Sequence, residues 1–140
     1  MATIPFELID HTADLGIIVQ GENIESLFRN AALAMTRIMV SGPLEPSGRT
    51  ETLNLEGLDL SDLLVKFLGE ILYLLQAEHL IPSDVCINGV STERLDAELD
   101  LVEFDSNRHA IVHDIKAVTY HQALVSNDGA VWRGRVIFDL

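Results

Sequence analysis

Two stretches of this chain repeat their apolar residues at helical spacing, and most of the remaining apolar residues alternate with polar ones. Ile24, Leu27, Phe28, Ala31, Ala34, Met35 and Ile38 recur at three- and four-residue intervals, as do Leu63, Leu64, Phe67, Leu68, Ile71, Leu72 and Leu75. Residues so spaced share one face only when the backbone coils at 3.6 residues per turn, so two amphipathic helices are expected. Asn23 is placed to cap the first, and Ser41-Gly42-Pro43 ends it. Asp59 and Asp62 suit the positive N-terminal end of the second, and Ile81-Pro82-Ser83 is expected to close it. The Met and Phe side chains of these faces are expected in a core.

The period changes to two elsewhere. Ile4–Ile9 and Leu15–Gly21 alternate on either side of the polar turn Asp10-His11-Thr12-Ala13-Asp14. Further strand-like stretches are Thr50–Glu56, Val85–Asn88, Arg94–Val102, Val112–His121, Gln122–Ser126 and Val131–Asp139. Asn127-Asp128-Gly129 reads as a hairpin turn. The expected class is α+β, a two-layer domain in which a mixed, mainly antiparallel sheet carries both helices on one face. No linker, low-complexity tract or solenoid-length repeat divides the 140 residues, so residues 1–140 read as one domain. A chain of this length buries roughly 68–70% of its unfolded surface and needs no disulfide or structural metal.

Charge narrows the function. Asp plus Glu number 22 against 9 Lys plus Arg, a net charge of −13. Such a surface repels phosphate backbones and attracts cations and basic proteins, so no direct nucleic-acid binding is expected. The same excess also serves solubility alone. The opening MATIPFELID lacks a basic segment followed by an apolar run, and no apolar run approaches the roughly 20 residues of a bilayer span. A soluble, cytoplasmic protein with no membrane association is expected. Cys86 has no partner for a bridge and reads as a small core residue.

Three segments carry residues suited to chemistry. Asp10, His11 and Asp14 cluster on one turn, where their oxygen and nitrogen donors suit a hard divalent cation. Equally, Asp and Thr side chains in such a turn bond neighbouring amides simply to shape it. The last strand pattern runs nearly to Leu140, which sets the Asp139 carboxylate beside the main-chain carboxylate of Leu140. Two adjacent anions favour a cation between them, although a solvated terminus is screened by salt. In Ile115–His121, alternation puts Lys116, Val118 and Tyr120 on one face and Ala117, Thr119 and His121 on the other. Lys116 is then a candidate partner for the acidic cluster. His121 is a candidate ligand or proton shuttle, or simply a hydrogen-bonded strand histidine. His79, His109 and His113 form no ligand spacing with Cys86. No Ser-His-Asp or Cys-His arrangement, glycine-rich phosphate loop or dinucleotide fingerprint is present.

In these same segments the chain resembles the archease family. The resemblance is carried by Asp10-His11-Thr12-Ala13-Asp14-Leu15-Gly16, Asn30-Ala31-Ala32-Leu33-Ala34-Met35 and Asp62-Leu63-Leu64-Val65-Lys66-Phe67-Leu68 with Glu70-Ile71-Leu72-Tyr73-Leu74. It continues through Arg108-His109, Ile115-Lys116-Ala117-Val118-Thr119-Tyr120-His121 and Val136-Ile137-Phe138-Asp139-Leu140. The ordered set spans the chain. Val102 stands where the family usually has Gly, Ser106 where it has Pro, and Phe67 where Trp is common. The resemblance implies a compact α+β fold and a divalent cation at one end of the molecule. Ca²⁺ is the first expectation, with Mg²⁺ or Mn²⁺ as alternatives. Asp14, Asp139 and Leu140 are the implied ligands, with Asp10 and His11 as supports and Lys116 as a second functional candidate. It further implies a protein partner, the GTP-dependent RNA-splicing ligase, whose guanylylation and multiple turnover such proteins promote without being enzymes themselves. Two other readings, from different functional classes, stand beside it. One is a metal-dependent phosphoester hydrolase in which His121 acts as base, and the other is a general chaperone.

Overall fold

The computed structural model describes residues 4–11 and 14–140, with the side chains of residues 10 and 11 outside that description. The first helix-period segment forms α1 (Ile24–Met39) and the second forms α2 (Leu60–Glu78). Asn23 caps α1 through a capping box, its Oδ1 accepting from the Ser26 N–H at 2.8 Å while Ser26 Oγ accepts from the Asn23 N–H at 3.1 Å. Asp59 caps α2 by accepting from the Asp62 N–H at 2.8 Å. His79 ends α2 in the left-handed region, at φ 57°, with its N–H turned back to the Leu74 and Leu75 carbonyls. The stop therefore lies ahead of Ile81-Pro82-Ser83, which belongs to the next strand. Pro82 is tolerated there because the pairing register shifts between Pro82 and Asp84.

Nine strands accompany the helices among the described residues. They are β1 (Phe6–His11), β2 (Asp14–Gly21), β3 (Val40–Ser41), β4 (Arg49–Glu56), β5 (Leu80–Val90), β6 (Arg94–Glu103), β7 (Ala110–Ile111), β8 (Ala117–Asn127) and β9 (Trp132–Asp139). The class is α+β, as expected, with every described pairing antiparallel. The strands divide into three sheets, of order β1-β2-β9-β8, β4-β6-β5 and β3-β7. The two stretches expected at Val112–His121 and Gln122–Ser126 are largely one strand, β8. Its register against β9 shifts between Thr119 and Leu124, and Gln122 takes φ 55° there.

Each helix touches both larger sheets: α1 packs on β2 and β5, and α2 on β8, β4 and β5. The core lies where they meet. Leu15, Ile17 and Val19 of β2, Val136 and Phe138 of β9, and Leu95, Ala97, Leu99 and Leu101 of β6 face it. Phe28 and Phe67 are fully buried between the helices, ring centroids 6.2 Å apart. Burying each such side chain stabilises the fold by about 1.5–3 kcal/mol. Phe67 is thus a core residue, and its aromatic character is what the packing uses. Cys86 corrects the sequence reading: it is exposed. In β5 the core-facing position is the neighbouring Val85, so the pleat turns Cys86 outward opposite Glu98.

Candidate metal centre

The outer face of the four-stranded sheet explains the glycine in Asp14-Leu15-Gly16. Gly16 pairs with Ile137, whose side chain is only 2% exposed although it points away from the helices. A Cβ on Gly16 would lie 2.7 Å from Ile137 Cδ1 and 3.0 Å from the Val136 carbonyl oxygen. The missing side chain lets Ile137 lie flat over β2, while Leu15 and Phe138, the next pair, are buried on the core face. A slip of one residue would reverse both choices, so these pairs fix the register.

That register sets Asp14 directly opposite Asp139. Side chains so paired share a face with Cβ atoms roughly 4.5–5.5 Å apart. Both carboxylates stand on the outer face at one end of the sheet, Asp14 half-buried and Asp139 exposed. On the other flank Asp139 is opposite Ala117, which is too small to cover it. The Lys116 N–H donates to the Asp139 carbonyl oxygen at 2.8 Å and ties the start of β8 to this end. Leu140 follows with 40% of its surface exposed. Like charges placed opposite each other destabilise a strand pair unless a cation or donor offsets them. Two carboxylates so placed offer oxygen donors of the kind that Ca²⁺ and Mg²⁺ select. Among the described residues no group of three or more His, Cys, Asp or Glu side chains is placed to hold a metal. A complete coordination shell therefore needs main-chain oxygens or water beside the two carboxylates.

The other candidates divide. Lys116 is exposed and adjoins the pair through its backbone. His121 is exposed and lies within the β8 register shift, four positions beyond Ala117, about 13 Å along a strand. It is not brought to the carboxylate pair. The side chains of Asp10 and His11 lie outside the described residues, although their main chain pairs with Leu15 and Asp14.

Two polar clusters were not anticipated. Asp62, mostly covered, accepts from the Tyr120 hydroxyl at 2.7 Å and the Leu58 N–H at 2.8 Å, and pairs with Lys66 at 3.3 Å. The Leu58 amide, then the Tyr120 hydroxyl and Lys66, hold the Asp62 carboxyl below the usual carboxylate range. The Asp62 carboxylate in turn pushes the Tyr120 hydroxyl above its usual value. The bulge at Gln122 accompanies this bond, which staples β8 to the start of α2. In the second cluster, buried His109 accepts from the Asp105 N–H at its Nδ1, 3.0 Å away. Its Nε2–H then donates to the Pro43 carbonyl at 2.7 Å, which defines a neutral tautomer. The segment whose Val102 and Ser106 depart from the family pattern is held in place by this histidine. The spacing Asp105-x-Asn107, an Asx turn, was the available signal.

These observations define a small α+β domain whose four-stranded sheet ends in paired carboxylates. A family model, the archease protein family, matches residues 6–140. The chain belongs to the archease family. Curated archeases similar to it include those of Methanosarcina mazei, 30% identical over 96% of this chain and 95% of its own length, and Pyrococcus furiosus, 32% identical over 96% and 98%. The archease of Sulfurisphaera tokodaii is 32% identical over 89% and 90%. Protein 1598 of Methanobacterium thermoautotrophicum, solved in solution, superposes with a TM-score of 0.70 at 29% identity, covering 96% of this chain and 98% of that one. An archease from Thermotoga maritima, described as a possible chaperone, shares the fold with a TM-score of 0.62 at 20% identity, covering 94% of each.

Proposed function

We propose that this protein activates the GTP-dependent RNA-splicing ligase as a non-catalytic accessory factor, promoting ligase guanylylation and multiple turnover in the cytoplasm. The observation that supports it is the Asp14–Asp139 pairing at one end of the molecule. Asp14, Asp139 and the Leu140 main chain would hold a divalent cation, Ca²⁺ before Mg²⁺ or Mn²⁺, with Asp10 and His11 as supports. The bound cation supplies positive charge that phosphate and carboxylate oxygens can share. The chain's own part is to hold its donors on paired strands, so that they meet a basic ligase surface already oriented. Lys116, bonded through its N–H to Asp139, is the residue next placed to touch that surface. A net charge of −13 favours such a partner and disfavours independent RNA binding.

The test is multiple-turnover RNA ligation by the ligase of the same organism, with wild type, Asp14→Ala and Asp139→Ala. Stimulation by wild type but by neither variant is expected. A folded wild type that leaves the ligase unchanged would overturn the proposal, and phosphoester hydrolysis by the protein alone would replace it.

A further inference from the structure

At the C-terminal end of α2 lies a cavity of about 240 Å³ that the proposed cation site does not use. Its floor is core surface, including Met39, Leu72 and Ile115, each at most 5% exposed. Its wall is Ile111, 47% exposed, and the adjoining Val112 is 52% exposed, so apolar surface continues past the rim. Exposed apolar surface that runs on from a concave, apolar site marks a contact region more often than chance placement does.

We infer that this cavity is a docking pocket for one aromatic or large aliphatic side chain projecting from a basic protein surface. The inference rests on the proposed accessory role and specifies how the partner is held. Three observations select this occupant. At about 240 Å³ the cavity is smaller than the roughly 300–1,000 Å³ of sites for drug-sized molecules and cofactors, and has room for a single large side chain. The rim carries Asp114, and the chain as a whole carries −13, which complements a cationic surround. Third, the backbone of residues 115 and 116 links the pocket to the end of β9 that carries Asp139. Ile115 lines the pocket, Gln76 of α2 donates to its carbonyl at 3.1 Å, and the next residue, Lys116, donates to Asp139 at 2.8 Å. The pocket therefore lies one residue along the chain from the Lys116–Asp139 bond.

A buried anchor in a central pocket carries a disproportionate share of interface affinity. The experiment is a titration of the same organism's RNA-splicing ligase with wild type, with the double variant Ile111→Ser/Val112→Ser, and with Asp114→Lys. All three substitutions fall on exposed side chains, and unchanged thermal melting and Ca²⁺ binding verify the fold and the carboxylate pair. The double variant is expected to bind at least about 10-fold more weakly. Asp114→Lys is expected to associate several-fold more slowly at low salt, with the difference vanishing at high salt. Wild-type affinity in both variants, alongside lost stimulation in Asp14→Ala, overturns the pocket and leaves the accessory role standing. No measurable binding by wild type overturns both.

Discussion

At the scale of single residues, the bond between Tyr120 and Asp62 makes stability depend on pH in two directions. The Asp62 carboxyl is depressed in the folded state, so its contribution is present above the ordinary carboxylate pKa of about 4 and is lost as pH falls through the lower folded value. The Tyr120 hydroxyl is raised, so its contribution holds below pH about 10 and is lost as pH rises through the folded value. Tyr120→Phe should therefore lower Tm by a few degrees between pH 5 and 8, with the gap to wild type closing in acid and again in strong base. A melting series across pH that showed a constant gap would refute this. Gly42 supplies a second case. It sits at φ 109°, and a Cβ there would lie 2.2 Å from the Arg108 carbonyl oxygen. Gly42→Val should cost at least about 2 kcal/mol in denaturant unfolding, because both backbone strain and a backbone clash are imposed. Neither position was legible beforehand. In the sequence Gly42 reads only as part of a helix stop, and the Asp62–Tyr120 bond joins residues 58 positions apart that no local pattern connects. Asp14 and Asp139 stand out in the sequence as candidates. Their juxtaposition depends on β2 pairing with β9, which periodicity along one strand does not reveal.

Elements were read more surely than their ends. Both helices follow from apolar spacing, because a buried stripe imposes its period on the sequence whatever it packs against. Asn23 was recognised as a cap from its place alone, and its reciprocal bonds with Ser26 bear that out. Asn23→Ala should cost about 1 kcal/mol in thermal or chemical unfolding, with no change in fold by circular dichroism. The end of α2 was placed late because Pro82 looks like a stop. His79 had already turned the chain by adopting a left-handed conformation that non-glycine residues seldom take. β8 was cut in two for a related reason. Gln122 breaks the alternation while the backbone ladder resumes beyond it, and a reading by period counts the break and misses the resumption. The grouping into three sheets was out of reach, since which strands are neighbours is decided by packing across the core and not by any one segment.

For the molecule as a whole, the consequence to test is linkage between cation binding and folding. A cation that binds only the native carboxylate pair stabilises the fold by about 2.7 kcal/mol at a concentration 100-fold above its Kd. Wild-type Tm should rise with added Ca²⁺, whereas Asp139→Asn should melt at one temperature with or without it. Equal shifts in both proteins would place the cation elsewhere on this acidic surface. Without cation, the Asn variant should be no less stable than wild type, since it removes one of two opposed charges.

The pairing of β2 with β9 joins strands from opposite ends of the described chain. Contacts of such long sequence separation carry the largest loop-closure entropy and slow folding most. If they form after the rate-limiting barrier, an ion held between them has no hold on the transition state. Ca²⁺ would then leave the refolding rate untouched and lengthen the lifetime of the native state, so that the ion serves as a clasp fastened last and opened first.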